Sequence, residues 1–154
     1  DTLTGGESYD TFVLTDASSS DIITDFQASS TDTDFLRFDE FELGFESFGS
    51  EDFIMSGFYG ETENTESYKL IAFNQITANS DWSDTADKIN TEITNSANSY
   101  FAISNGNDTR VYSWTDSNNS ASVENAELNA LCQLNNFNDN DIANMTNDNF
   151  DIIA

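Results

Sequence analysis

Apolar residues follow different spacings in different parts of the chain. Over the first sixty residues they come as short clusters between acids, with Ile22 and Phe26 and then Leu36 and Phe38 supplying one buried face of short strands. From residue 39 to 67, Phe alternates with Glu, Gly and Ser, as in Phe41, Leu43, Phe45 and Phe48, and neither a helix nor a strand period dominates. This stretch reads as irregular, with Gly60 to Ser67 the linker. Beyond it the pattern becomes regular. Tyr68 to Phe73 is β-branched and aromatic enough for a strand, and Trp82, Ala86, Ile89, Ile93 and Ala97 recur at helical spacing. Ser99 to Ser104 and Thr109 to Trp114 flank Asn105-Gly106-Asn107-Asp108, which predicts a hairpin with a four-residue loop. Glu124 to Leu134, with Leu128, Leu131 and Leu134 on one side, predicts a second helix, and Asn149 to Ala154 a closing strand. The pattern predicts a mainly β chain in two parts, residues 1–60 of short strands and residues 67–154 of α+β type in β-α-β-β-α-β order.

Composition narrows what such a chain can bind. Its 154 residues are 37% hydrophobic and 13% aromatic, with thirteen Phe, which is enough for an ordered core. The 29 Asp and Glu against 4 Lys and Arg leave a formal charge of −25. A carboxylate field of that density repels nucleic acid and anionic membrane, so neither is an expected partner. Carboxylates, Asn and Ser are hard oxygen ligands, which suit Ca²⁺ ahead of Mg²⁺; an acidic surface suited to salty water is the plainer alternative. With no His and a single cysteine, Cys132, zinc sites and internal disulfides are not expected. Cys132 follows Leu128 and Leu131 and reads as a small buried hydrophobe, with a disulfide between chains unsupported. No apolar run approaches the roughly 20 residues of a membrane helix, and no signal peptide opens the chain, so a soluble protein is expected.

The N-terminus carries the most specific motif. Gly5-Gly6-Glu-Ser-Tyr-Asp10-Thr-Phe12-Val13 fits the nonapeptide G-G-x-G-x-D-x-U-x, in which U is apolar, except that Ser8 replaces a glycine. Asp1 and Leu3 fit the end of a preceding copy, so the chain reads as part of something longer. The position 18 residues beyond Asp10 is Ala28, so no third copy is expected to stack there. Asp21-Ile-Ile-Thr-Asp25-Phe26 and Asp34-Phe-Leu36 then follow. In order and spacing, Gly5 to Phe38 resembles the segment after the last repeat of secreted calcium-binding RTX-type proteins. That resemblance implies the end of a parallel β-roll, with Asp10, Asp21, Asp25 and Asp34 near calcium. It also implies an extracellular, non-catalytic module that caps the roll.

A second acidic segment runs from Asp116 to Glu127. Against the 12-residue EF-hand loop, Asp116, Asn118, Ser120, Ser122, Glu124 and Glu127 take positions 1, 3, 5, 7, 9 and 12, which predicts another calcium site. Ala121 stands at the usual glycine, and a polar turn capping a helix is the alternative. The tail also resembles C-terminal domains of cyanobacterial surface proteins with RTX repeats. Asp151-Ile-Ile-Ala154 has the acidic-then-apolar form of the C-terminal signals read by type I export machinery, which that resemblance makes a partner.

Enzyme chemistry is not expected, because no His is present and Cys132 has no base near it in sequence. A different reading makes the chain a subunit of an extracellular filament or surface layer, in which further copies pair through calcium and an unpaired edge at Asp1 to Val13. A third reading is a carbohydrate-binding module using Trp82, Trp114 and the tyrosines.

Overall fold

The computed structural model describes residues 1–15, 20–29, 32–39, 53–56, 63–64, 70–94, 99–120 and 122–153. In chain order its strands are β1 (Thr2–Leu3), β2 (Thr11–Leu14), β3 (Asp21–Ile23), β4 (Ala28–Ser29), β5 (Asp32–Thr33), β6 (Phe35–Asp39), β7 (Phe53–Ser56), β8 (Glu63–Asn64) and β9 (Leu70–Thr77). Helix α1 (Thr85–Asn90) follows, then β10 (Ile93–Thr94), β11 (Ser99–Ser104), β12 (Thr109–Trp114), β13 (Leu128–Leu134), helix α2 (Asp139–Ile142) and β14 (Phe150–Ile153). The protein is mainly β with short helices in its C-terminal part.

The first four long-range strands wind as two coils. β1 and β3 pair in parallel at one edge of a seven-stranded sheet, with Thr2 opposite Ile22, while β2 and β6 pair in parallel in a three-stranded sheet, with Phe12 opposite Leu36. The chain crosses from one sheet to the other and back, as the coil of a parallel roll does. Its period is 20 residues in one sheet (2 to 22) and 24 in the other (12 to 36), not 18. The four extra residues go into the small antiparallel excursion β4–β5, whose base is closed by Asp34 N–H donating to the Gln27 carbonyl at 2.8 Å. Hence Asp10 stacks on Asp34 and not on Ala28, as the 2.8 Å bond from Phe35 N–H to the Asp10 carbonyl records. A second coil lies beneath the nonapeptide, offset by this longer period and not as a third copy of it.

The seven-stranded sheet runs β1-β3-β13-β12-β11-β9-β7, and the three-stranded sheet β14-β6-β2. Both sheets mix strands from residues 1–60 with strands from residues 67–154. Alternate residues of the central strands feed two cores. Leu70, Ala72, Tyr100, Ala102 and Val111 face Leu14, Leu36, Phe38 and Phe150 of the smaller sheet. Ile71, Phe73, Phe101, Ile103, Tyr112 and Trp114 face Ala86 and Ile89 of α1 with Trp82 and Val123. Every residue of β11 is therefore buried, because both of its faces are covered.

The hairpin β11–β12 has the bounds read from sequence, and Asn105 Oδ1 accepts the N–H groups of Asn107 and Asp108 in its loop. Two helices differ from expectation. The helical spacing from Trp82 to Ala97 yields only α1, because Trp82 sits before it at φ 64° and Ile93 has passed into β10; Ala97 lies outside the described residues. Glu124–Leu134 is not a helix but a 3₁₀ turn, Asn125–Glu127, leading into β13. The cause is a β-bulge. Val111 pairs with Cys132 but Tyr112 with Ala130, so Leu131 is unopposed and the face of the strand switches there. Leucines three apart thus occur on a strand. The stretch from Phe41 to Phe48 and most of the expected linker lie outside the described residues. Among the described residues no helix is long and apolar enough to cross a membrane.

Candidate metal site

Stacking of the coils decides what the first four acids do. The turn between β1 and β2 presents the N–H groups of Gly5 and Gly6 side by side, and the Asp25 carboxylate of the next coil accepts both, at 3.0 and 2.9 Å. Consecutive N–H groups of this kind form an anion-holding nest, here filled by the protein's own carboxylate. Asp34 does the same one turn on, with Oδ1 accepting from Asp10 N–H at 3.0 Å and Oδ2 from Gln27 N–H at 2.8 Å. Both acids staple one coil to the next.

Asp10 is different. Its Oδ2 is buried and has no hydrogen-bond partner among the described residues. A Cβ built on Gly5 would lie 2.5 Å from that oxygen, so only glycine leaves room for the carboxylate beneath the turn. Asp34, itself buried, has its carboxyl pushed above the usual range, chiefly by desolvation; the like charges of Asp10 and Asp25 add to this, while the Gln27 and Asp10 N–H groups oppose it. The structure thus gathers Asp10, Asp25 and Asp34 about the Gly5–Gly6 turn. Asp21 is not among them: it sits at the other end of β3, beside Cys132, and accepts the Asp1 amino group at 2.6 Å.

The orphaned Asp10 oxygen is a hard acceptor without a donor and would suit a hard cation held by Asp10 and oxygens of the turn, the space beneath Gly5 being taken by the carboxylate itself. No three acids among the described residues form a cage unaided, because Asp25 and Asp34 turn their oxygens toward N–H groups. Ser8, in the place of the missing glycine, adopts φ 87° and Gly6 φ 102°, both in the left-handed region that glycine takes most readily.

The Asp116–Glu127 loop is arranged otherwise. Glu127 is buried and its oxygens are used by protein donors: Oε1 accepts from the Ser117 N–H and hydroxyl at 3.0 and 2.8 Å, and Oε2 from Trp114 Nε1 at 3.2 Å. Those donors, the Ser117 hydroxyl first, hold its carboxyl below the usual glutamate range. Within the loop Ser120 N–H donates to Asp116 Oδ1, the Asn118 amide to Glu124 Oε1, and the Ser120 hydroxyl to the Ser122 carbonyl. The loop closes on itself, and the glutamate expected as a bidentate ligand instead ties β12 to the loop. Ser117, which holds it, falls between the alternating ligand positions and carries no signal in the spacing.

Cys132 is buried among apolar side chains, and desolvation raises its thiol far above the usual range, so it is a small hydrophobe here. Of the aromatics that the carbohydrate reading named, Trp82, Tyr100, Tyr112 and Trp114 lie in the cores, Tyr9 is exposed, and Tyr59 and Tyr68 lie outside the described residues. No family model, curated protein or solved structure matches the chain.

Proposed function

We propose that the chain is a non-catalytic, calcium-binding module of a secreted RTX-type protein, which closes a parallel β-roll and carries a type I export signal at its end. The observation that carries this reading is the Asp10 carboxylate, held under the Gly5–Gly6 turn with one buried oxygen unpartnered and two further acids stacked beneath it. Calcium there would offset repulsion among the three carboxylates, which couples binding to folding. At −25 net charge the same ion would screen the rest of the surface less specifically.

The test is a thermal melt in EGTA, then in calcium, with magnesium as the control. For a site of about 10⁻⁴ M, as in extracellular modules, ~100-fold excess calcium adds about 2.7 kcal/mol. That corresponds to a rise of roughly 5–10 °C for a chain of this length. Asp10→Asn should abolish the rise. Equal responses to magnesium and calcium, or an unchanged response in Asp10→Asn, would leave only an acidic structural protein.

A filament or surface-layer subunit is the second reading. It is favoured by β1 and β2, each the outermost strand of its sheet among the described residues and both belonging to the first coil. Calcium-dependent light scattering that Val13→Lys on the exposed β2 edge suppresses would support it.

A further inference from the structure

We infer that a cleft between the β3–β4 connection and the segment around α2 binds one ring of a neutral saccharide. The cleft encloses about 240 Å³, below the ~300–1,000 Å³ of sites for drug-sized ligands, which limits it to a single ring. Phe26 and Phe137 form its apolar corner, with ring centroids 5.4 Å apart and planes at 76°. Four polar side chains, Gln27, Asn136, Asp141 and Asn144, complete the wall.

These four groups are anchored in ways that leave polar atoms for a ligand. The Gln27 and Asn136 backbones are fixed by N–H bonds to Asp34 Oδ2 and Asp108 Oδ1, at 2.8 and 2.9 Å. Asn144 donates Nδ2–H to the Asn140 carbonyl at 2.9 Å, which leaves its Oδ1. Asp141 Oδ2 accepts Asn138 N–H at 2.9 Å in the capping box of α2, which leaves its other oxygen. Side-chain amides offer both donors and acceptors, as a ring of hydroxyls does, and the Phe corner suits the apolar face of a pyranose. Among the described residues the lining contains no Lys or Arg, and Asp141 together with the −25 charge disfavours sugar acids and phosphates. A metal ion is a poor occupant, because the lining has one carboxylate and two aromatic rings.

Side-chain amide signals give a direct test on the intact chain. In ¹⁵N-labelled protein, the NH₂ resonances of Gln27, Asn136 and Asn144 should shift saturably with at least one neutral methyl pyranoside. They should not shift with glucuronic acid. Gln27→Ala should weaken binding about tenfold, the loss of one hydrogen bond to ligand, with the melt unchanged. If no neutral pyranoside moves those signals, if the shifts map elsewhere, or if the sugar acid binds equally well, the inference is overturned. The wild-type titration decides this even if the variant folds poorly.

Discussion

Asp34 and Glu127 are both buried carboxylates, and their surroundings push them in opposite directions. Asp34 is raised by desolvation, so its charged form is penalised in the folded state. Its contribution to stability falls as pH rises from the unfolded value through the folded one, and the penalty stands in full above that. Glu127 is lowered by Ser117 and Trp114, so its contribution is present above the unfolded value and is lost as pH falls through the folded one. In EGTA, Asp34→Asn should flatten the fall in stability expected just above the ordinary carboxylate range, at the cost of one of its two N–H bonds, whereas Glu127→Gln should flatten the acid limb; melts against pH separate the two. Calcium beside Asp34 should lower its titration midpoint, a shift readable at its carboxyl carbon by NMR. The turn itself gives a paired prediction. Gly5→Ala drives a Cβ into Asp10, at 2.5–2.8 Å from three of its atoms, and should cost about 1–3 kcal/mol along with the calcium response. Ser8→Gly should add about 0.5–1 kcal/mol, because a left-handed φ strains serine and not glycine. Urea midpoints of the two variants check both signs.

Between elements, the two staples hold the first coil, whose β1 and β2 are edge strands among the described residues, by bonds that the central strands do not share. Asp25→Ala removes the acceptor of two N–H groups and should cost roughly 1–3 kcal/mol. Hydrogen exchange should then quicken at Gly5 and Gly6 while β11 and β12 keep their protection; equal loss everywhere would refute a separable coil. What could be read from sequence follows the same division. The hairpin 99–114 was legible because its loop residues and its two apolar runs agree, and Phe150–Ile153 because it is short and apolar. β13 was not legible, since the bulge at Leu131 imposes a three-residue spacing that only its partner β12 reveals. Asp10 was singled out by its motif, and the structure places its Oδ2 buried and without a donor among the described residues. The stapling roles of Asp25 and Asp34 were not legible, because the inserted β4–β5 excursion hides the stacking period, and no local spacing announces that Glu127 answers to Ser117 and Trp114.

For the whole molecule, the last strand matters most. β14 pairs in parallel with β6 of the second coil, Phe150 opposite Leu36 and Ile153 opposite Asp39, and the Phe150 ring stacks on Phe38 at 6.4 Å. The Asn149 amide reaches across the chain to the Asp34 carbonyl at 3.1 Å, beside the acids proposed to hold calcium. If β14 belongs to an export signal, its pairing with β6 would hide it from machinery that reads extended chain, so under that proposal folding would wait until the chain has left the cell. Calcium would enforce that order: scarce inside, it leaves the acids of the first turn repelling one another, and abundant outside, it closes the roll over the strand. The prediction is directional. Raising calcium inside cells that carry the export machinery should lower the secreted fraction of the wild-type chain and raise the protease-resistant fraction retained, whereas Asp10→Asn should be exported equally at both calcium levels and fold poorly afterwards. Export of the wild type that ignores internal calcium, with the calcium-dependent melt intact, would separate the binding site from secretion and leave the roll as a purely structural element.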